Sequence, residues 1–391
     1  MSRTSGLIVP MGTFGGKLWD RAVRDGRIRP GRGPLFTRRV YPSRTPVLRQ
    51  EALQRAPRRT VDRAERAARG VILPPPADHE GPDRLGPLGW HSGDTGIYRH
   101  DIVTRLRIHW LCAPDCVGGG WCALASHGLP YWADSEKVLL LSRTSRRNST
   151  DPYGPVYRTL PPGTPTVCVD PEFPGLRVVD AATAVAQCLA TIRGGKKTWW
   201  VPEVPVLGHR EVRSVQLLDA VHQCTELTDG ELLAGARHIV DKDWMTGLLE
   251  LSDHGAQSPM ETVLRLIVRD ELPAEYTWTS QVTVSLSDGA VVTAEYRGRR
   301  TTPDLACPEL RVALYYDGAH HGGAGQTETD FRLYQELRKL GWEAVRVNKG
   351  LLADRAELTA HVRGAVERAR WAQRMRWDPF TDPFTDPFTG R

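Results

Sequence analysis

Cysteine is scarce in this chain, at seven in 391 residues. An odd number spread over so long a sequence is not the disulfide framework of a small secreted domain. Long apolar runs are missing too. No stretch stays apolar for the roughly 20 residues a membrane-spanning helix needs, and the start carries no charged segment followed by an apolar core of the secretory kind. These absences predict a soluble protein of the reducing cytoplasm, with no membrane partner. Acidic residues are sparse at one end only. Residues 1–70 hold 17 Lys/Arg against 5 Asp/Glu, a balance of +12 that leaves −6 for the other 321 residues. Positive charge so concentrated suits a polyanion-binding arm, since each neutralised phosphate releases counterions. A solvated Arg-rich tail would give the same count.

A chain of this length predicts two or three domains, because single cores usually stop growing at roughly 100 to 200 residues. Residues 1–71 read as a basic, winged-helix-like region. Within it, Gly16 to Val40 patterns as a short amphipathic helix, a turn at Asp25-Gly26 and a basic strand, in which Leu18, Ala22 and Val23 share a face. Arg21, Arg24, Arg27, Arg29, Arg38 and Arg39 are the candidate nucleic-acid contacts there. The Arg/Ala-rich stretch after Pro57 is compatible with a helix, whereas the proline-rich residues 72–95 read as a linker. An α+β middle domain is expected over 96–253, with helices at Ile102–Leu111, Ala181–Ile192, Ser214–Leu227 and Gly230–Leu251 and strands at Val138–Leu141 and Pro165–Val169.

Three of the cysteines, Cys112, Cys116 and Cys122, cluster between His109 and His127. Thiolates and imidazoles so grouped invite zinc, but the spacing lacks a tight C-x-x-C step and a second pair. The cluster reads instead as small buried residues around a Gly-rich turn. At the other end, residues 373–391 form a tail in which the unit DPFT recurs three times, at Asp378, Asp382 and Asp386. Asp-Pro steps favour turns, and the spaced Phe380, Phe384 and Phe388 suit either an exposed tail or a docking segment for a protein partner.

The chemistry concentrates in residues 254–372. Ser258 followed by Glu261 is a capping-box signal for a helix that buries Val263, Leu264 and Ile267. Strands are expected within YTWTSQVTVSL, VVTAEY and RTTPDLACPELRVALYYDG, then a helix at Thr327–Leu340 and a strand at Glu343–Asn348. That order describes an α/β domain. Metal-assisted phosphodiester cleavage needs carboxylates converging from adjacent strands, so that Mg²⁺ or Mn²⁺ can hold the phosphate and activate water. Asp304 opens one strand and Asp317 ends the next. A hairpin across Pro308 brings their ends together, making both candidate metal ligands, with Glu261 as the accessory carboxylate.

The segments SPMETVLRL, TTPDLACPELRVALYYDGAHH and DFRLYQELRKLGWEAVRV resemble the actinobacterial endonuclease-like domains related to very-short-patch repair nucleases, of the PD-(D/E)XK superfamily. The resemblance covers about residues 255 to 370 and rests on Glu261, Pro303-Asp304, Asp317-Gly318 with His321, Asp330 with Leu337, and Gly341-Trp342, in that order. More loosely, WCALASHGLPYW and GLRVVDAATAVAQCLATI are similar to segments that accompany AbiEi-antitoxin-like winged helices. What the resemblance implies is a mixed sheet flanked by helices, a metal-dependent DNA endonuclease using Glu261, Asp304, Asp317 and His321, and a DNA partner. One position departs from the family pattern. Tyr315 stands where an acidic residue is expected, and a neutral phenol is a poor ligand for Mg²⁺. An alternative therefore stands beside the nuclease: a catalytically impaired DNA-binding regulator or antitoxin-like protein.

Overall fold

In a computed structural model, the described residues are 102–377, apart from 130, 149, 151–153, 171–172, 294 and 318–323. Before them, only three backbone strands are described: β1 (Val9–Pro10), β2 (Glu65–Ala68) and β3 (Val71–Leu73). Strand β3 pairs antiparallel with both of the others. A helix was compatible with the stretch containing β2, and strand pairing has overridden the helix propensity of its Ala and Arg residues. The expected helix and wing at 16–40, with Arg21, Arg24, Arg27, Arg29, Arg38 and Arg39, lie outside the described residues, as do His321 and the DPFT repeats. Among the described residues no helix is long and apolar enough to cross a membrane.

The chain divides into two units, each a mixed α/β structure. One runs to Trp200 and resumes over Ala220–Glu250; the other comprises Val201–Asp219 and Leu251 onward. Residues 201–219, within the span expected for the middle domain, group with the second unit. In the first, helices α1 (Ile102–Cys112), α2 (Gly120–Ser126) and α3 (Ala181–Arg193) accompany a five-stranded sheet. Its strands β4 (Val117–Gly119), β5 (Leu139–Ser142), β6 (Val156–Thr159), β7 (Thr166–Val167) and β8 (Val178–Val179) lie in the order β6-β5-β4-β8-β7. Leu106, Trp110, Leu124, Leu140, Leu189 and Ile192 fill the core. Next comes α4 (His209–Cys224). The single helix expected over Gly230–Leu251 is two, α5 (Asp229–Ala236) and α6 (Lys242–Leu251). They are separated at His238, whose φ is 66°, and Asp241 restarts the helix by accepting from the Trp244 amide at 2.9 Å.

In the second unit, α7 (Pro259–Val268) starts as its sequence signals. The Ser258 side chain accepts from the Glu261 amide at 3.3 Å, and Pro259 fits the first turn, where no amide partner is needed. A four-stranded sheet follows, from β9 (Thr279–Ser280), β12 (Leu305–Cys307), β13 (Val312–Asp317) and β14 (Glu343–Asn348), ordered β14-β13-β12-β9. Strands β9, β12 and β13 run antiparallel to their neighbours in turn, while β13 and β14 are parallel and joined through helix α8 (Ala324–Lys339). The expected strand YTWTSQVTVSL is broken. Its first half is β9, and its second half supplies β10 (Val284–Ser285), which pairs with β11 (Arg300–Thr301) in a separate ribbon. Among its described residues VVTAEY forms no strand; Val291 makes an isolated bridge to Val284.

Alternation places the two faces of the sheet against different partners. Ala306 and Ala313 pack with Leu337 of α8, Val282, Val284 and Trp342, with Tyr315, Leu333 and Leu340 at the margin. Helix α7 packs against β13 and against a long last helix, α10 (Arg355–Trp377), which follows the short α9 (Lys349–Ala353) and also contacts β13 and β14. The sequence reading had placed no helix there and began the tail at 373, yet Leu358, Val362, Ala365, Val366 and Ala369 are buried at helical spacing.

Candidate functional site

Three backbone features converge on one place in the second unit: the first turn of α7, the end of β9, and the entry to β12. Each presents a polar side chain. Glu261 comes from α7, Gln281 immediately follows β9, and Asp304 immediately precedes β12.

Glu261 does not close the capping box that its spacing from Ser258 predicts. Its carboxylate accepts instead from the Gln257 amide at 2.9 Å and from the Gln281 side chain at 3.0 Å, so one oxygen faces the site rather than the Ser258 amide. Asp304 is held from two sides. Its Oδ2 accepts from the Tyr316 amide at 2.6 Å, and its Oδ1 lies 3.5 Å from Gln281 Nε2. Burial and the neighbouring Asp304 charge push the Glu261 carboxyl up to about 7, and burial raises Asp304 as well. A buried carboxyl raised further by its neighbour's charge lies in a site that lacks a counter-charge.

The break in the expected strand is what delivers Gln281. Its φ of 55° lies in the left-handed region, which a side chain larger than glycine occupies only at some cost in strain. The turn of the chain there ends β9, sends β10 to the other ribbon, and lets the Gln281 amide bond to the Asp304 carbonyl at 3.3 Å. Sequence reasoning passed over Gln281, since an amide within an alternating strand pattern looks like an outward-facing polar residue.

Asp304 and Asp317 do share the hairpin across Pro308, but they are not level. Leu305 stands opposite Leu314, which carries Asp304 opposite Tyr315, two residues short of Asp317 and about 7 Å along the strand. Asp317 is instead ion-paired with Arg346, on the parallel neighbour β14. Tyr315 has left the polar site for the apolar layer. Its ring meets Tyr334 edge-on, with centroids 5.7 Å apart, and its hydroxyl pairs with Thr301 Oγ1 at 3.1 Å. Burial raises its phenol well above the usual range, so it stays neutral. Lys349 opens α9 in an exposed position, following Asn348, which stands opposite Asp317.

The α7 scaffold beneath Glu261 is tied down by a buried ion pair. Asp219, 1% exposed, accepts from Arg265 at 2.8 Å, from Thr262 Oγ1 at 2.8 Å and from the Asp253 amide at 2.8 Å. Arg265 also donates to the Leu251 carbonyl at 2.7 Å. Thr262 and Arg265 flank Glu261 on the same helix, so this network sets the helix rotation that aims Glu261 at Asp304.

The donor set suits a hard divalent cation. Mg²⁺ ordinarily takes one or two protein carboxylates and completes its shell with water and phosphate oxygens, and Glu261 with Asp304 matches that share. In the first unit, by contrast, Cys112, Cys116 and Cys122 form no metal-ligand group among the described residues. Cys122 is buried and donates to the Gly119 carbonyl at 3.0 Å, Cys112 is exposed, and His127 is engaged with the Val179 carbonyl at 2.8 Å. The expected Gly-rich turn is not formed: Gly118 and Gly119 lie in β4 and Gly120 opens α2, and a side chain on Gly118 would come within 3.1 Å of Leu106. No family model matches the chain, and neither the curated proteins nor the solved structures contain a match.

Proposed function

We propose that the second unit is a PD-(D/E)XK-like domain that binds DNA and cleaves its phosphodiester bonds with Mg²⁺ or Mn²⁺, preceded by a winged-helix-like, antitoxin-like region. The observation that carries this reading is the Glu261–Asp304 pair, brought together by a helix N-terminus and the start of a strand of the mixed sheet and bridged by Gln281. A cation there would polarise the phosphodiester and activate water. Asp304 and Glu261 would hold it, and the Tyr316 amide would fix the Asp304 carboxylate in the orientation needed. Asp317 stays in this reading as a candidate ligand, reached if Arg346 releases it on binding the polyanion; His321 is the candidate for orienting water.

The placement of Tyr315 favours a second reading, in which the domain binds DNA without cutting it. A phenol packed against Tyr334 and bonded to Thr301 contributes no charge to the cation. A plasmid-nicking assay with Mg²⁺ or Mn²⁺ separates the two. The nuclease reading expects nicking by the wild type and loss of at least about a hundredfold in Asp304→Ala, in line with removal of a group that stabilises transition-state charge. The regulator reading expects no nicking by either, with DNA binding intact; a gain of nicking in Tyr315→Glu would then identify a disabled nuclease.

A further inference from the structure

Gln281 touches both carboxylates of the pair through one atom. Its Nε2 donates to Glu261 at 3.0 Å and reaches Asp304 at 3.5 Å. Its own amide bonds the Asp304 carbonyl at 3.3 Å, so this residue is attached to Asp304 through both backbone and side chain. A left-handed backbone, at φ 55°, keeps it there. Such strain persists only where the surroundings over-determine it, and it gathers at functional positions.

A glutamine amide has two chemically opposite ends. The nitrogen donates hydrogen bonds, as suits two bare carboxylates; the oxygen is a hard donor of the kind that divalent cations accept. Rotation about the last side-chain bond exchanges them without moving the backbone. A cation between Glu261 and Asp304 would repel the nitrogen and attract the oxygen. Position 315, from which a third oxygen ligand is expected, is committed to the apolar layer, whereas Gln281 is already against both carboxylates.

Resting on the metal-dependent reading above, we propose that Gln281 is the third oxygen ligand of the cation site, turning Oε1 inward when Mg²⁺ or Mn²⁺ joins Glu261 and Asp304. When the cation leaves, Nε2 turns back and bridges the carboxylates. Gln281 is thus both ligand and placeholder, and it replaces the acidic side chain that Tyr315 does not supply.

The test is calorimetric titration of Mn²⁺ into the full chain without nucleic acid, so that no activity enters the readout. Gln281→Glu keeps the side-chain length and adds a charged oxygen; it is expected to lower Kd about tenfold. Gln281→Met keeps the volume and removes the hard oxygen, and should raise Kd by about tenfold, with circular dichroism checking that the fold survives. Asp304→Asn should lose binding. If Asp304→Asn loses binding while Gln281→Glu and Gln281→Met both match the wild type, Gln281 is no ligand although the cation site stands. If the wild type binds no Mn²⁺, or Asp304→Asn binds it equally well, the metal reading itself fails and takes this proposal with it.

Discussion

Glu261 concentrates the electrostatics of the site in one side chain. Its carboxyl is held near 7 by burial and by Asp304, against an ordinary value of 4.5. A folded-state value above the unfolded one means that the native protein binds the proton more tightly. Stability is therefore expected to fall as pH rises from about 4.5 through about 7, the interval over which the unfolded chain has released this proton and the folded carboxyl still holds it. Glu261→Gln, which stays neutral, should flatten that decline. Urea denaturation at a series of pH values measures it, and an unchanged slope in the variant would remove Glu261 as the source. The identity of this residue was legible from Ser258 and the helix signal, and Asp304 was expected beside it, but Gln281 was not. A capping box and a carboxylate pair need the same residue at the same spacing, and only the position of Gln281 and Asp304 in space decides between them.

Helices in this chain are positioned by single contacts that reach across the sequence. The Asp219–Arg265 pair is one, with Thr262 and the Asp253 amide completing the Asp219 carboxylate. Asp219→Ala would leave the half-buried Arg265 without its nearest counter-charge, at a cost of about 3 kcal/mol. Urea denaturation should show that loss, together with weaker Mn²⁺ binding as α7 loses its set rotation. Gly235 of α5 is another. A Cβ there would lie 2.6 Å from the Ala182 backbone of α3, so the two helices cross at a distance only glycine permits. Alanine gains about 1 kcal/mol of helix propensity in an open helix. Here overpacking should outweigh it, leaving Gly235→Ala less stable by about 1 to 2 kcal/mol. A stabilised variant in thermal unfolding would show that the crossing can open without cost.

Over the whole molecule, charge is divided as +12 on residues 1–70 and −6 on the rest. If the basic segment binds the polyanion, deleting residues 1–70 should weaken DNA binding and make its salt dependence shallower, by about 0.9 in log–log slope for each phosphate no longer neutralised. Filter binding at several salt concentrations reads both quantities; an unchanged slope would assign the binding to the remaining chain. The sequence by itself determined the elements with local causes. The helix at Ser258 came from its cap, α3 from its run of small apolar residues, and β14 from its alternation. It also marked Glu261 and Asp304 as residues of chemical interest. Tertiary structure decided what they meet. Strand register is a long-range property, and it set Tyr315 rather than Asp317 opposite Asp304, while a left-handed turn at Gln281 broke a pattern that alternation alone had drawn as one strand. Which side chains share a site follows from pairing and packing between distant segments, and local spacing carries no record of either.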